Sequence, residues 1–228
     1  MWAAAASFPE VLLVTTQGRM QFAVPMEETY YRADHTAVAL SVDGTLTVAG
    51  TRRGQVIGFD LQGGKVFSVG DKDLDDQKEG WQSRIGCVNS LVVAPRTNTV
   101  IAGGDNATVA LDVKGQELWA STELNRVACV ASSLGEEQTV AVGTRSGTVA
   151  CVTGGTVLWR NQAEGCVAAV CYRGDSQEVL AASLDGTLTC FDKNGKALWT
   201  YRSPIGFRFV ASSFDGNTIA AAELSGKV

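Results

Sequence analysis

Histidine is almost missing from this 228-residue chain, which holds one, His35. A Ser-His-Asp or Cys-His device needs an imidazole within hydrogen-bond reach of a nucleophile. Such chemistry has a single candidate base here, so we expect an ordinary strand-end histidine and no catalytic residue. Positive charge is also in deficit. A formal net charge of −5 and a pI near 5.0 give no overall attraction for phosphate backbones or anionic lipid, which argues against nucleic acid and membrane as partners. No apolar run approaches the roughly 18 residues of a membrane span. The opening stretch 1–10 is apolar, but no basic residue precedes Arg19 and the run is too short for a secretory signal.

Cofactor fingerprints are lacking as well. No glycine-lysine phosphate loop and no dinucleotide fingerprint follows a strand. The segment Asp71-Lys-Asp-Leu-Asp-Asp76 alternates acids like a calcium loop, but Asp76 stands where the sharp turn needs glycine, so a solvated acidic loop is expected. Zinc needs about four converging ligands, and Cys166 and Cys171 fall on opposite faces of one strand. A thiol cluster of Cys87, Cys129 and Cys166 on neighbouring strands is the only other arrangement on offer. We expect neither metal nor cofactor. All six cysteines sit inside strand-like runs, where free thiols behave as small hydrophobes, so a reducing, cytoplasmic location is expected. A secreted domain stapled by disulfides is the competing reading.

What the chain has is glycine, 25 residues against four prolines, a balance that suits many tight turns between short strands. Five of the glycines are followed four residues later by a large aromatic: Gly18 and Phe22, Gly63 and Phe67, Gly115 and Trp119, Gly155 and Trp159, Gly195 and Trp199. The intervals between them are 45, 52, 40 and 40 residues, the period of one four-stranded blade of a β-propeller. In 166–201 four short β-rich runs, which we letter a to d, are separated by Arg173-Gly-Asp-Ser, Leu184-Asp-Gly and Lys193-Asn-Gly turns. Equivalent units span 35–70, 86–120 and 127–160.

The fifth unit is split. Residues 207–228 supply strands a and b, and 11–24 match a strand c, a turn and a strand d. The expected fold is therefore all-β, one domain over 1–228, a five-bladed propeller of four-stranded antiparallel blades. It is closed by N-terminal strands c and d that complete the C-terminal blade. Two chains exchanging halves, or a piece of a longer array, satisfy the same phase. The aromatic of each strand d is placed to pack between adjacent blades as core.

The units Phe59-Asp60…Gly63…Phe67, Leu111-Asp-Val-Lys-Gly-Gln-Glu-Leu-Trp119 and Phe191-Asp-Lys-Asn-Gly-Lys-Ala-Leu-Trp199 resemble the repeats of quinoprotein-like (PQQ-like) propellers, and more distantly those of WD-repeat proteins. The quinone-dependent dehydrogenases of that family carry eight blades, a vicinal disulfide and a calcium-bound cofactor. This chain has no Cys-Cys pair and too few blades, so the resemblance implies a cofactor-free member. Such relatives serve as assembly or interaction platforms. The Trp-Asp dipeptide of WD repeats is absent.

Departures from the repeat point to the working surface. The interval Gly63 to Gly115 exceeds the 40-residue unit by 12, and the excess falls in 70–84, between one strand d and the next strand a. The preceding d-to-a joint, 25–32, is also long. In propellers these joints share a face with the b-to-c turns. The candidate interaction surface is therefore Tyr30, Tyr31, Trp81 and Arg84 with the turn residues Arg52, Arg53 and Arg145. The expected function is a non-catalytic scaffold, monomeric in isolation, that binds another protein or peptide as a subunit of a larger assembly. A small-ligand or glycan-binding propeller is the alternative, and a glycoside hydrolase the third choice. A repeating lectin site should repeat its polar ligands, and the residues three before the repeat glycines are Thr15, Asp60, Asp112, Val152 and Asp192.

Overall fold

The computed structural model of the protein describes residues 2–7, 10–15, 17, 19–25, 35–70, 85–135 and 138–228. Every regular element among them is a β-strand. The chain divides into two units, Met1–Ala120 and Ser121–Val228.

The first unit opens with a three-stranded sheet of β1 (Trp2–Ser7), β2 (Glu10–Thr15) and β3 (Met20–Pro25). Two four-stranded meanders follow. One is β4 (His35–Leu40), β5 (Thr47–Thr51), β6 (Val56–Phe59) and β7 (Lys65–Val69). The other is β8 (Val88–Val93), β9 (Val100–Gly104), β10 (Thr108–Leu111) and β11 (Glu117–Ser121). The second unit holds β12 (Val127–Ser132), β13 (Val140–Thr144), β14 (Thr148–Thr153) and β15 (Thr156–Gln162) as one sheet. A second sheet is β16 (Val167–Tyr172), β17 (Val179–Ser183), β18 (Thr187–Phe191) and β19 (Ala197–Arg202). A two-stranded sheet of β20 (Phe207–Ser212) and β21 (Ile219–Glu223) completes it.

Burial explains the strand compositions. The second strands β5, β9, β13 and β17 are buried at every residue, so both faces must be apolar or small. Val48, Val100, Val140 and Val179 on them are fully inaccessible. Strand β15, at the outer edge of its sheet, alternates exposed and half-buried residues, the period of a half-solvated strand.

A repeating pair of bulges assigns each strand its place in the blade. Pairing of strand a with b shifts by one residue at His35/Ala37, Val88/Ser90, Val127/Cys129, Val167/Ala169 and Phe207/Phe209. Pairing of c with d shifts beside the c–d turn at Gly58/Phe59, Cys151/Val152 and Cys190/Phe191. Between β2 and β3 the shift falls at Leu13/Val14, so these are strands c and d as the sequence suggests. Between β1 and β2 the register is unbroken from Trp2↔Thr15 to Ser7↔Glu10, which is the b–c pattern.

That assignment corrects one expectation. Closure required β21 on the free edge of β2, with 11–24 completing the sheet of 207–228. Both edges of β2 are instead satisfied within the first unit, by β1 and β3. The physical reason is a strand b at Trp2–Ser7, paired to β2. Trp2-Ala-Ala-Ala-Ala-Ser7 ends in the same Ala-Ala-Ser as β17, Val179-Leu-Ala-Ala-Ser183, and stands shortly before a strand c. β20 and β21 stand as a two-stranded sheet.

Candidate functional site

The c–d turns are built by one side chain. Asp60 Oδ1 accepts from the N–H of Gln62 and Gly64 at 2.9 and 2.7 Å, and Asp112 Oδ1 from Lys114 and Gln116 at 2.8 Å each. Asp192 Oδ1 accepts from Asn194 and Lys196 at 2.9 Å each. The glycine third in the turn has φ near +80 in all three, a conformation that L side chains resist. These aspartates are therefore turn caps, which is why they repeat where a ligand set does not. In the sheet that has Val152 at this position, Gly154 and Gly155, both with positive φ, make the turn without a cap.

The same glycines seat on the preceding blade. A methyl group added to Gly63, Gly115 or Gly195 would lie 3.1, 2.9 or 2.7 Å from ring atoms of Phe22, Phe67 and Trp159 respectively. Trp159 also donates its indole N–H to Lys193 O at 3.0 Å, and Asn161 donates to Gly195 O at 2.7 Å. The expectation of an aromatic core between blades holds for Phe22, Phe67 and Trp159 but not for Trp199, which is 37% exposed. Its strand β19 is exposed throughout and Tyr201 on it is 58% exposed. Phe209, Phe214 and Leu224 add to the exposed apolar area of the second unit. No departure from the sequence repeat marks it, because the exposed residues obey the repeat.

At the opposite ends of the strands, the d–a joints and b–c turns are tied together. Arg145 N–H donates to Arg126 O at 2.8 Å, Ala163 to Gly147 O at 2.9 Å and Ser203 to Gly186 O at 2.8 Å. Asp185 clasps two elements: Oδ2 accepts from the N–H of Glu164 and Gly165 at 3.0 Å each, and Oδ1 from Thr187 N–H and hydroxyl at 2.8 and 2.6 Å. Burial works against its charge, yet the Thr187 and Gly165 hydrogen bonds hold its carboxyl below the usual value. With four donors on two oxygens it is an ionised turn anchor and has no proton to give.

Two grooves open on this end of the second unit. One, about 440 Å³, lies beside the Arg160–Glu123 ion pair (3.1 Å) and is lined by Asn125, Thr144, Ser146 and Gln162. The other, about 290 Å³, runs between β15 and the β18–β19 pair, past Asn161, Thr187, Thr189, Thr200 and Arg202. Thr189 and Thr200 hydroxyls meet at 3.1 Å on its wall. These amides and hydroxyls can hold a peptide backbone or a polyol.

Of the sequence-predicted surface, Arg52 and Arg53 share the β5–β6 turn of the first unit, the former exposed and the latter half-buried. Arg145 is exposed in the β13–β14 turn of the second. None of the three arginines is without a partner. Tyr30, Tyr31, Trp81 and Arg84, with the acidic segment 71–76, lie outside the described residues. All six cysteines are free thiols. Burial, with Cys166 nearby, pushes Cys129 up to about 12, and burial beside Glu178 pushes Cys190 to about 12. Cys151 meets the Tyr172 hydroxyl at 3.7 Å, and that hydroxyl donates to Thr139 at 2.9 Å, closing a buried polar chain between two blades. Among the described residues no cluster of His, Cys, Asp or Glu could hold a metal.

No curated protein matches the chain. A family model described as Outer membrane protein assembly factor BamB matches residues 105–228, more than half of it. Taken with the repeated four-stranded antiparallel sheets, that match shows that the chain belongs to this family of PQQ-like repeat β-propellers.

Proposed function

We propose that the chain is a non-catalytic interaction propeller, a subunit of a larger assembly that binds another protein or peptide through the face of its d–a joints and b–c turns. The observation that carries this reading is how that face is built. Backbone hydrogen bonds from Arg145, Ala163 and Ser203 and the Asp185 clasp fix the joints, so grooves lined by amides and hydroxyls are held open without the loops having to order on binding. The family's assembly-factor description supports the same class of role. Cysteines carried inside strands as small hydrophobic residues suit a reducing compartment, and our reading is a cytoplasmic protein.

The test is capture of partners from source-cell lysate by the wild-type chain and by Arg145→Glu, Arg52→Glu and Trp81→Ala variants, with thermal unfolding followed in parallel. A stoichiometric protein retained by wild type and lost in the variants, with unfolding unchanged, is the expected result. A chain that emerges without partners refutes it.

A second reading rests on the hydroxyl-lined groove between β15 and β18–β19, which suits a sugar or other polyol. A thermal shift with mono- and disaccharides that disappears in Thr200→Val would favour it over the scaffold.

A further inference from the structure

One face of the β16–β19 sheet carries a graded series of cross-strand pairs. Thr187 stands opposite Arg202, Thr189 opposite Thr200 and, past the bulge, Phe191 opposite Ala197. Alternation puts Thr200 and Arg202 on the face away from Trp199, and that face lines the cleft of about 290 Å³ against Val149 and Asn161 of the preceding sheet. The wall therefore runs from a charge at the b–c turn, through paired hydroxyls, to an apolar end. The repeat does not demand this. The pair equivalent to Thr189 and Thr200 is Ala150 and Arg160 in the preceding sheet, and Ile57 and Ser68 in the first unit. Thr148 and Gln162 stand where this sheet has Thr187 and Arg202.

The charges of the two clefts differ as well. In the larger one Arg160 is answered by Glu123 at 3.1 Å. The next repeat has Ala163 at the place of Glu123, on the lining of the smaller cleft, and Arg202 there has no ion pair or hydrogen bond among the described residues. Asp185 cannot serve it, because its two oxygens already accept from four donors. Glu164, the other acid of the lining, is exposed to solvent, which screens its charge. We propose that this cleft binds a sugar acid, a polyhydroxylated monocarboxylate, and the proposal rests on the polyol reading of the same groove. The guanidinium of Arg202 takes the carboxylate as a two-pronged donor. One hydroxyl proton of the Thr189 and Thr200 pair is spent between them, so the other is left to donate, and both oxygens can accept from ring hydroxyls. Across the cleft Asn161 is held by its bond to Gly195 O at 2.7 Å and offers its carbonyl oxygen to a further hydroxyl. A volume of about 290 Å³ is at the small end of ligand pockets, suited to one sugar ring and not to a folded segment.

The experiment is calorimetric titration of the full chain with D-glucuronate, D-glucose and acetate, in wild type, Arg202→Met and Thr200→Val. We expect wild type to bind glucuronate about tenfold or more tightly than either glucose or acetate, since the acid alone engages both the guanidinium and the hydroxyls. Arg202→Met should erase that preference and leave glucose unchanged, whereas Thr200→Val should weaken glucose and glucuronate together. Glucose bound as tightly as glucuronate overturns the proposal and leaves the polyol reading standing. Absence of binding by both sugars overturns the two together. A preference for glucuronate that persists in Arg202→Met places the carboxylate elsewhere and overturns the assignment. A salt series uses unmodified protein and decides the matter even if a variant fails to fold. Raising sodium chloride from about 0.01 M to about 1 M should weaken glucuronate and spare glucose, and glucuronate binding indifferent to salt refutes the charge pairing.

Discussion

Adding one methyl group at Gly195 tests the blade interface most directly. The residue has φ +82, and its new Cβ would sit 2.7 Å from Cγ and Cδ2 of Trp159. Two costs follow. Holding an L residue in the left-handed region costs about 1–2 kcal/mol, and overpacking against a ring that cannot retreat costs about 1–3 kcal/mol. Alanine's smaller unfolded-state entropy returns about 0.4–1 kcal/mol. Gly195→Ala should therefore destabilise by about 2–4 kcal/mol. Gly226 provides the control, with φ +85 and nothing within 4 Å of an added Cβ. Gly226→Ala pays the backbone cost alone, about 1 kcal/mol net.

The assay is urea unfolding followed by circular dichroism, with stability compared at constant m. Trp159→Ala completes a double-mutant cycle, because without the indole the added methyl has nothing to strike. In that background Gly195→Ala should cost no more than Gly226→Ala, giving a coupling of about 1–3 kcal/mol. If Gly195→Ala costs the same as Gly226→Ala in the wild-type background, or if the cycle is additive to within about 0.5 kcal/mol, the glycine does not seat on the ring. The interface argument then fails for Phe22 and Phe67 as well.

Three further outcomes follow from the turns and thiols. Asp192→Ala leaves the N–H groups of Asn194 and Lys196 without their acceptor and should cost about 1 kcal/mol, measured by the same unfolding assay, whereas the uncapped Gly154-Gly155 turn is the reference for how much glycine alone can supply. Acid should weaken the fold: the Ser41 hydroxyl and the Thr45 donors lower Asp43 from 3.8 to about 2, and the Ser213 hydroxyl and Asn217 hold Asp215 down in the same way. A carboxyl lowered by folding contributes stability that is present above its unfolded value and lost as pH falls through its folded value. Melting temperature should thus drop between pH 3.8 and about 2, and Asp43→Asn should flatten part of that slope. A melting temperature level across this window would contradict the shifts. Thiols behave in the opposite sense, since burial raises Cys129 from 9.0 to about 12 and Cys171 to about 11. Their contribution is complete below 9.0 and disappears as pH rises toward those values, so unfolding should ease in that interval. In native protein near neutral pH a thiol reagent should leave Cys190 unmodified, and rapid labelling there would refute its burial.

The repeat of glycine and aromatic made the blades legible because one physical need, a left-handed turn residue seated on a ring, recurs at each c–d turn. The same logic misread the edges of the array. Periodicity identifies what a strand is, c or b, but two segments of the same kind are equivalent to it, and only pairing decides between them. Trp2–Ser7 and Ile219–Glu223 are both strands b by pattern, and the one nearer in sequence to Glu10–Thr15 pairs with it. Closing a short loop costs far less chain entropy than bringing together segments some two hundred residues apart, which favours β1 on β2. Exposure of Trp199 was invisible in a sequence where Trp199 matches Trp159 position for position. The aspartates before the turn glycines were visible but open to two meanings, ligand or cap. Only the pair of N–H donors on each Oδ1 separated them. What a repeat reveals is the part of the structure that the chain makes many times.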